Sequence, residues 1–120
     1  MTFRFEKLDV WHKAIEFKGV IYRLTRGFPA DERFGLTNQM RRAAVSISSN
    51  IAEGLSRSSI KDKGRFIEIA YGSLMETVSQ SHVARNQVFL TDEEFQEVVV
   101  MADDLARMLS GFRTSLEKGL

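Results

Sequence analysis

The residues of this 120-residue chain that are best suited to chemistry form a polar stripe between residues 36 and 53. They recur every three or four residues, and they are Gln39, Arg42, Ser46, Asn50 and Glu53, with Arg41 beside them. That spacing places them on one face of a helix. A guanidinium flanked by amide and carboxylate groups could hold a phosphate or carboxylate ligand, because arginine binds oxyanions bidentately. The alternative, which we favour, is a hydrogen-bonded network that fixes the register between helices or subunits.

A second group of candidate residues is basic and follows Gly54. It consists of Arg57, Lys61, Lys63 and Arg65, with serines among them. Such a cluster is typical either of a loop and helix start that face phosphate groups or of a plain solvated turn. If this chain binds nucleic acid, we expect the contact at these four residues together with Arg41 and Arg42.

The residues needed for catalysis are sparse. His12 and His82 lie in different predicted helices without a partner at metal-ligand spacing, and a Glu-x-x-His pair for a dimetal bundle site is missing. The sequence has no cysteine, no phosphate-binding glycine loop and no nucleophile elbow. We therefore expect no catalytic residues, no metal, no cofactor and no small-molecule substrate.

The hydrophobic periodicity predicts the elements that must position these residues. It indicates four helices over about 9–26, 36–53, 60–89 and 92–117, and no segment alternates long enough for a strand. Short connections favour antiparallel neighbours. The prediction is therefore a single all-α domain over residues 1–120, an up-down-up-down antiparallel four-helix bundle.

Local signals support the predicted helix boundaries. Thr91 and Glu94 have the spacing of a capping box, and Ser59 is a cap for the third helix. Gly54 is well placed as the C-terminal cap of the second helix. Gly72, inside the third helix, fits a close approach of two helices.

The net charge of +1 conceals an uneven distribution along the chain. Residues 1–65 hold 13 Lys and Arg against 7 Asp and Glu, a net +6, whereas residues 66–120 hold 4 against 9, a net −5. The first two helices should therefore form a basic side and the last two an acidic side.

The unequal helix lengths predict a surface for self-association. The third and fourth helices should extend beyond the shorter pair, and apolar residues are dense near their shared turn. Consecutive apolar residues cover most of a helix circumference, more than one core can bury. The expected oligomer contacts are Val88, Phe89, Val98, Val99, Val100 and Met101. The alternative is a wide core face with one or two exposed apolar side chains.

Residues 35–54, GLTNQMRRAAVSISSNIAEG, resemble the signature of the four-helix-bundle proteins found in 23S rRNA intervening sequences. Residues 8–14, 28–29 and 66–73 are also similar to that family. The resemblance implies a homopentameric four-helix bundle with no established enzymatic activity. It also implies a distant similarity to the accessory variability proteins of diversity-generating retroelements, which are basic pentameric barrels that bind nucleic acid and a reverse transcriptase. The family's pattern carries over at Gln39, Arg41, Arg42, Ser46, Asn50, Glu53 and Gly54.

Two functions follow as hypotheses. The first is a homo-oligomeric, non-enzymatic bundle whose basic side contacts RNA or DNA. The second is a protein–protein scaffold or assembly module without a nucleic-acid role. No apolar stretch is long enough to span a membrane and the first residues carry charges, so we expect a cytoplasmic protein with no membrane partner.

Overall fold

The computed structural model describes residues 2–119, and these form four α-helices without a strand. They are α1 (Asp9–Thr25), α2 (Leu36–Leu55), α3 (Ile60–Asn86) and α4 (Asp92–Glu117). Short 3-10 helices at Arg4–Lys7 and Ala30–Glu32 precede α1 and α2. Contacts between α-helices join α1 to α2 and α4, and α3 to α2 and α4, within an elongated body of 45 × 24 × 23 Å. This is the predicted up-down-up-down antiparallel bundle.

Side-chain caps begin the two long helices, as the sequence predicts. The Thr91 hydroxyl accepts from the Glu94 amide at 3.0 Å, and the Glu94 carboxylate accepts from the Thr91 amide at 2.9 Å. The Ser59 hydroxyl accepts from the Asp62 amide at 3.1 Å. These bonds satisfy amide donors that a helix start otherwise leaves without an acceptor.

The core lies where the apolar stripes of the helices meet. On α4 the apolar residues that recur at alternating spacings of three and four are buried almost throughout, at Phe95, Val98, Ala102, Leu105, Leu109 and Leu116. Facing helices contribute large side chains that are completely enclosed, including Phe17, Ile21, Ile47, Ile51 and Leu74. Burial of these side chains supplies most of the driving force for folding.

The predicted end of the third helix, near Phe89, is wrong by one turn. α3 ends at Asn86, because Val88 adopts a left-handed conformation with φ of +63°. The Phe89 amide then donates to the Ala84 carbonyl at 2.8 Å, and the Val88 amide donates to the Arg85 carbonyl at 2.9 Å. This is a Schellman motif with valine at the position that usually holds glycine.

The overhang of α3 and α4 is partly covered by the connection between α1 and α2. In this topology both connections lie at the same end of the bundle. Phe28 is buried, and its ring centroid lies 5.6 Å from that of Phe89. Leu90 is buried beside them. The chain therefore buries here some of the apolar surface that the sequence pattern assigned to self-association.

The roles predicted for Gly54 and Gly72 are both wrong. Gly54 lies inside α2, which continues to Leu55, so it is not the C-terminal cap. An added Cβ at Gly54 would meet the Phe66 Cβ at 3.0 Å and the Lys63 carbonyl at 3.3 Å, so this glycine lets α3 approach α2. Gly72 is exposed, and a Cβ there would meet nothing within 4 Å. Close packing between helices therefore occurs at Gly54.

Over residues 2–119, the helices are either too short or too polar to cross a lipid bilayer.

Candidate functional site

The structure divides the polar stripe of α2 into a bonded part and a free part. The Ser46 hydroxyl lies 2.9 Å from the Ser73 hydroxyl of α3. The Asn50 side-chain amide donates to the Ser46 carbonyl at 2.7 Å and to its hydroxyl at 2.9 Å. These three residues form a small hydrogen-bonded network across the α2–α3 contact. The network interpretation therefore holds for Ser46 and Asn50 within one chain.

Arg41 is held in place by α1. Its Nε donates to the Thr25 hydroxyl at 2.9 Å, and one terminal nitrogen donates to the Tyr22 carbonyl at 3.4 Å. The guanidinium carbon also lies 4.7 Å from the centre of the Tyr22 ring. Three contacts of this kind restrict the rotamers of a long side chain and fix its charge in position.

Arg42, the neighbour of Arg41, makes no such contacts. Its exposed guanidinium has no hydrogen-bond, ion-pair or aromatic partner among residues 2–119. It lies between two open grooves on the surface of α2, and Asn38 and Ser46 line both grooves with it. Gln39, the first residue of the stripe, lines only the groove toward α3.

The second basic group lies where α2 connects to α3. Arg57 pairs with Glu53 at 2.7 Å and lies 4.7 Å from the centre of the Phe66 ring, while Arg65 lies 5.7 Å from the same ring. The Lys63 ammonium donates to the Leu55 carbonyl at 3.2 Å, which satisfies an acceptor at the end of α2. Lys61 is exposed one turn before Arg65.

The two basic groups do not converge on one surface point. Arg42 and Arg57 are 15 residues apart along α2 and the turn after it. At the rise of an α-helix this separation is about 20 Å. One chain therefore presents two basic groups, one near each end of α2.

The six residues expected at an oligomer contact have different environments. Val98 is fully buried, which contradicts its assignment to a surface, because its position on α4 faces the core. Phe89 and Met101 pack against the core and Val99 is half-buried. Val88 is 86% exposed and Val100 is 61% exposed. These last two retain an accessible apolar surface.

Three residues near these surfaces escaped the sequence analysis. Phe34, in the connection before α2, is 86% exposed. Asn38 lies one turn before Arg42, a spacing that the sequence already contained. Tyr22 comes from α1, and only the packing of α1 against α2 brings it to the groove.

Each of the two histidines contacts another residue of the chain. The His12 Nε2 lies 2.6 Å from the Glu6 carbonyl oxygen, and the His82 ring meets the Phe95 ring edge-on at 4.7 Å. In the described part of the chain, no group of three His, Cys, Asp or Glu residues is arranged to hold a metal ion.

The family model described as 23S rRNA-intervening sequence protein matches residues 6–111. The chain belongs to this family. The match includes all of α1, α2 and α3 and most of α4, so it contains both basic groups and the polar stripe.

The fold resembles that of a protein whose structure has been solved. A crystal structure at 1.70 Å shows a protein of unknown function from the S23 ribosomal protein family of Bacteroides thetaiotaomicron VPI-5482. It superposes with a TM-score of 0.79 at 22% sequence identity, over 87% of this chain and 97% of that one. The Bacteroides protein is described as having unknown function, and the family description names no enzymatic activity. No curated protein matches the chain.

Proposed function

We propose that this chain binds structured RNA or DNA through its basic surface, as a homo-oligomer without enzymatic activity. The observation that carries the proposal is the basic group at the α2–α3 connection. Arg57 and Arg65 both lie within 6 Å of the centre of the Phe66 ring there, and Lys61 lies one turn before Arg65. We expect the protein to act in the cytoplasm.

Within this basic group, two side chains are best placed to meet phosphate. Arg57 is paired with Glu53 and Lys63 is bonded to the Leu55 carbonyl, so each already has a partner. Lys61 and Arg65 are exposed and have no ion pair among residues 2–119. Lysine and arginine that neutralise phosphates release condensed counterions, and this release supplies much of the affinity for nucleic acid.

Oligomerisation would repeat the basic group in every subunit. The family resemblance implies a pentamer, so five copies of the group would belong to one particle. A ligand long enough to contact several subunits would then gain avidity, because each later contact forms at a high effective concentration. The partners of this chain are thus further copies of itself and RNA or DNA.

The test compares charge variants in a titration of fluorescently labelled structured RNA at low salt. We expect Lys61→Gln with Arg65→Gln to weaken binding by about tenfold or more, because at least two phosphate contacts are lost. The matched control is Arg107→Gln with Lys118→Gln, which removes the same charge from the acidic half. Equal weakening by both double variants, or no binding by the wild type, would contradict the proposal.

A second function is favoured by the exposed apolar residues at the opposite end of the bundle. Phe34 and Val88 are each 86% exposed and lie on the two connections at that end. Phenylalanine belongs to the aromatic residues that are enriched in protein–protein contacts, so Phe34 is the better candidate for an anchor. If the chain is a scaffold without a nucleic-acid role, Phe34→Ser would weaken assembly in a light-scattering measurement, and RNA would not bind at any salt concentration.

A further inference from the structure

The groove between α1 and α2 has a composition suited to anions. It has a volume of about 560 Å³ and is lined by Tyr22 from α1 and by Asn38, Arg41, Arg42, Val45 and Ser46 from α2. Two guanidinium groups therefore line it, and none of its lining residues is Asp or Glu. The groove on the other side of Arg42, by contrast, includes Glu76 of α3 in its lining.

The two arginines of this groove differ in how many of their hydrogen-bond donors are already in use. The bonds of Arg41 to Thr25 and Tyr22 use two N–H donors of its guanidinium, which leaves three of the five that the group carries. Arg42 has no partner among residues 2–119, so all five of its donors remain. A ligand that enters the groove would meet the guanidinium of Arg41, which is already held in position, and that of Arg42, which is free to rotate toward the ligand.

The surroundings add positive charge and further donors. The Lys18 ammonium lies 5.5 Å from the centre of the Tyr22 ring, so a third cation stands beside the groove. The Asn38 amide and the Tyr22 hydroxyl can each donate a hydrogen bond. The carboxylate of Glu32, near the start of α2, accepts from the Leu36 amide at 3.0 Å and is engaged there.

From this arrangement we infer that the α1–α2 groove binds a doubly charged phosphate group, a free phosphate or a phosphomonoester, between Arg41 and Arg42. Two guanidiniums balance the two negative charges, and each can form parallel hydrogen bonds to phosphate oxygens. A monocarboxylate carries one charge and one pair of oxygens, so it would leave one guanidinium without a bidentate partner. The site does not depend on the RNA contact proposed above, which lies about 20 Å away at the α2–α3 connection.

The first probe is inorganic phosphate, and its binding is monitored by NMR of the backbone amides. We expect saturable shifts at Tyr22, Asn38, Arg41 and Arg42 that potassium chloride at equal ionic strength does not reproduce. Arg42→Gln should weaken phosphate binding by about tenfold or more, because it removes a bidentate ionic partner. Arg42→Lys should give an intermediate loss, because it keeps the charge but not the planar fork.

Arg57→Gln is the matched control, since it removes the same group from the other basic surface. It should leave phosphate binding unchanged. Equal shifts with chloride, or phosphate binding by Arg42→Gln as strong as by the wild type, would overturn the site. Because Arg42 has no intramolecular partner, its variants should fold, and a thermal melt followed by circular dichroism verifies this.

A comparison of two oligonucleotides identifies the source of the phosphate group. A strand with a 5′-phosphate that binds more tightly than the same strand with a 5′-hydroxyl supports the end of a nucleic acid as the ligand. Equal binding of both strands, with inorganic phosphate still bound in the groove, supports a small free phosphate. If phosphate does not bind, the site is wrong while the RNA contact can still hold. If RNA alone fails to bind, only the proposed function is wrong.

Discussion

The hydroxyl of Ser46 on α2 lies 2.9 Å from the hydroxyl of Ser73 on α3, and the Asn50 amide donates to the same Ser46 hydroxyl. This short chain of hydrogen bonds joins α2 to α3. These bonds occupy the side chains of Ser46 and Asn50, two residues of the polar stripe, which leaves both less able to bind a ligand. Gln39, Arg42 and Glu53 are the exposed members of the stripe, and of these three only Arg42 lines both grooves.

The Ser46–Ser73 bond should contribute measurably to the stability of the bundle. We expect Ser46→Ala and Ser73→Ala each to lower the free energy of unfolding by about 1 kcal/mol, the usual net value of one hydrogen bond. In urea unfolding, the double variant should lose less than the sum of the single variants, because both remove the same bond. Ser49→Ala, at an exposed position of α2, is the control and should change stability little. Additive losses would show that the two hydroxyls do not interact.

Val88 is a place where substitution should stabilise the protein. Its φ of +63° costs a β-branched residue about 1–2 kcal/mol, and its side chain is 86% exposed, so little packing offsets that cost. Val88→Gly should therefore raise the free energy of unfolding by about 1 kcal/mol. Val83→Gly, inside α3, should instead lower it by roughly 0.5 kcal/mol. A loss of stability in Val88→Gly would argue against the left-handed turn.

The different surroundings of Gly54 and Gly72 predict opposite effects of the same substitution. Gly54→Ala should destabilise the bundle by about 1–3 kcal/mol, since its Cβ would press on the Phe66 Cβ at 3.0 Å and on the Lys63 carbonyl. Gly72→Ala should stabilise it by about 1 kcal/mol, because the site is open and alanine favours the helix. Thermal melts of the two variants compare them directly. Effects of the same sign would contradict the close approach at Gly54.

Self-association predicts a solution mass that is a multiple of the 13.7 kDa chain, five times for the expected pentamer. Val100, 61% exposed on α4, is the accessible member of the expected contact on that helix. Val100→Lys should lower the mass measured by light scattering, because it places a charge in an apolar contact. Ile60→Lys, at a residue 50% exposed near the other end, should not. A wild-type mass of 13.7 kDa would exclude the oligomer.

The sequence predicts the four helices well because apolar period, caps and short connections all agree. The capping box of Thr91 and Glu94 lies where it is expected, and α4 begins and ends at the predicted residues. It does not predict the end of α3, because valine at a left-handed position contradicts local preference. The sequence also predicts the wrong roles for Gly54 and Gly72. A glycine inside a helix is compatible with several roles, and the packing of the neighbouring helix decides which one it has.

Prediction of the candidate sites succeeds where residues share a helix and fails where packing decides. The stripe of α2 follows from spacing alone. The engagement of Arg41 by Tyr22 and Thr25, and the freedom of Arg42, depend on how α1 lies against α2. Coverage of Phe89 by Phe28 likewise depends on a contact between two connections that are distant in sequence, which one-dimensional periodicity does not contain. Burial of Val98, in contrast, follows from its spacing to Phe95 and Ala102 on α4.

The most direct test of the proposed function is the affinity of the wild-type protein for structured RNA across a range of salt concentrations. If the basic group at the α2–α3 connection contacts phosphates, the logarithm of the association constant falls linearly with the logarithm of the salt concentration. Several contacts per particle predict a slope steeper than about −2. Affinity that does not change with salt, or absence of binding at the lowest salt concentration, would contradict the account.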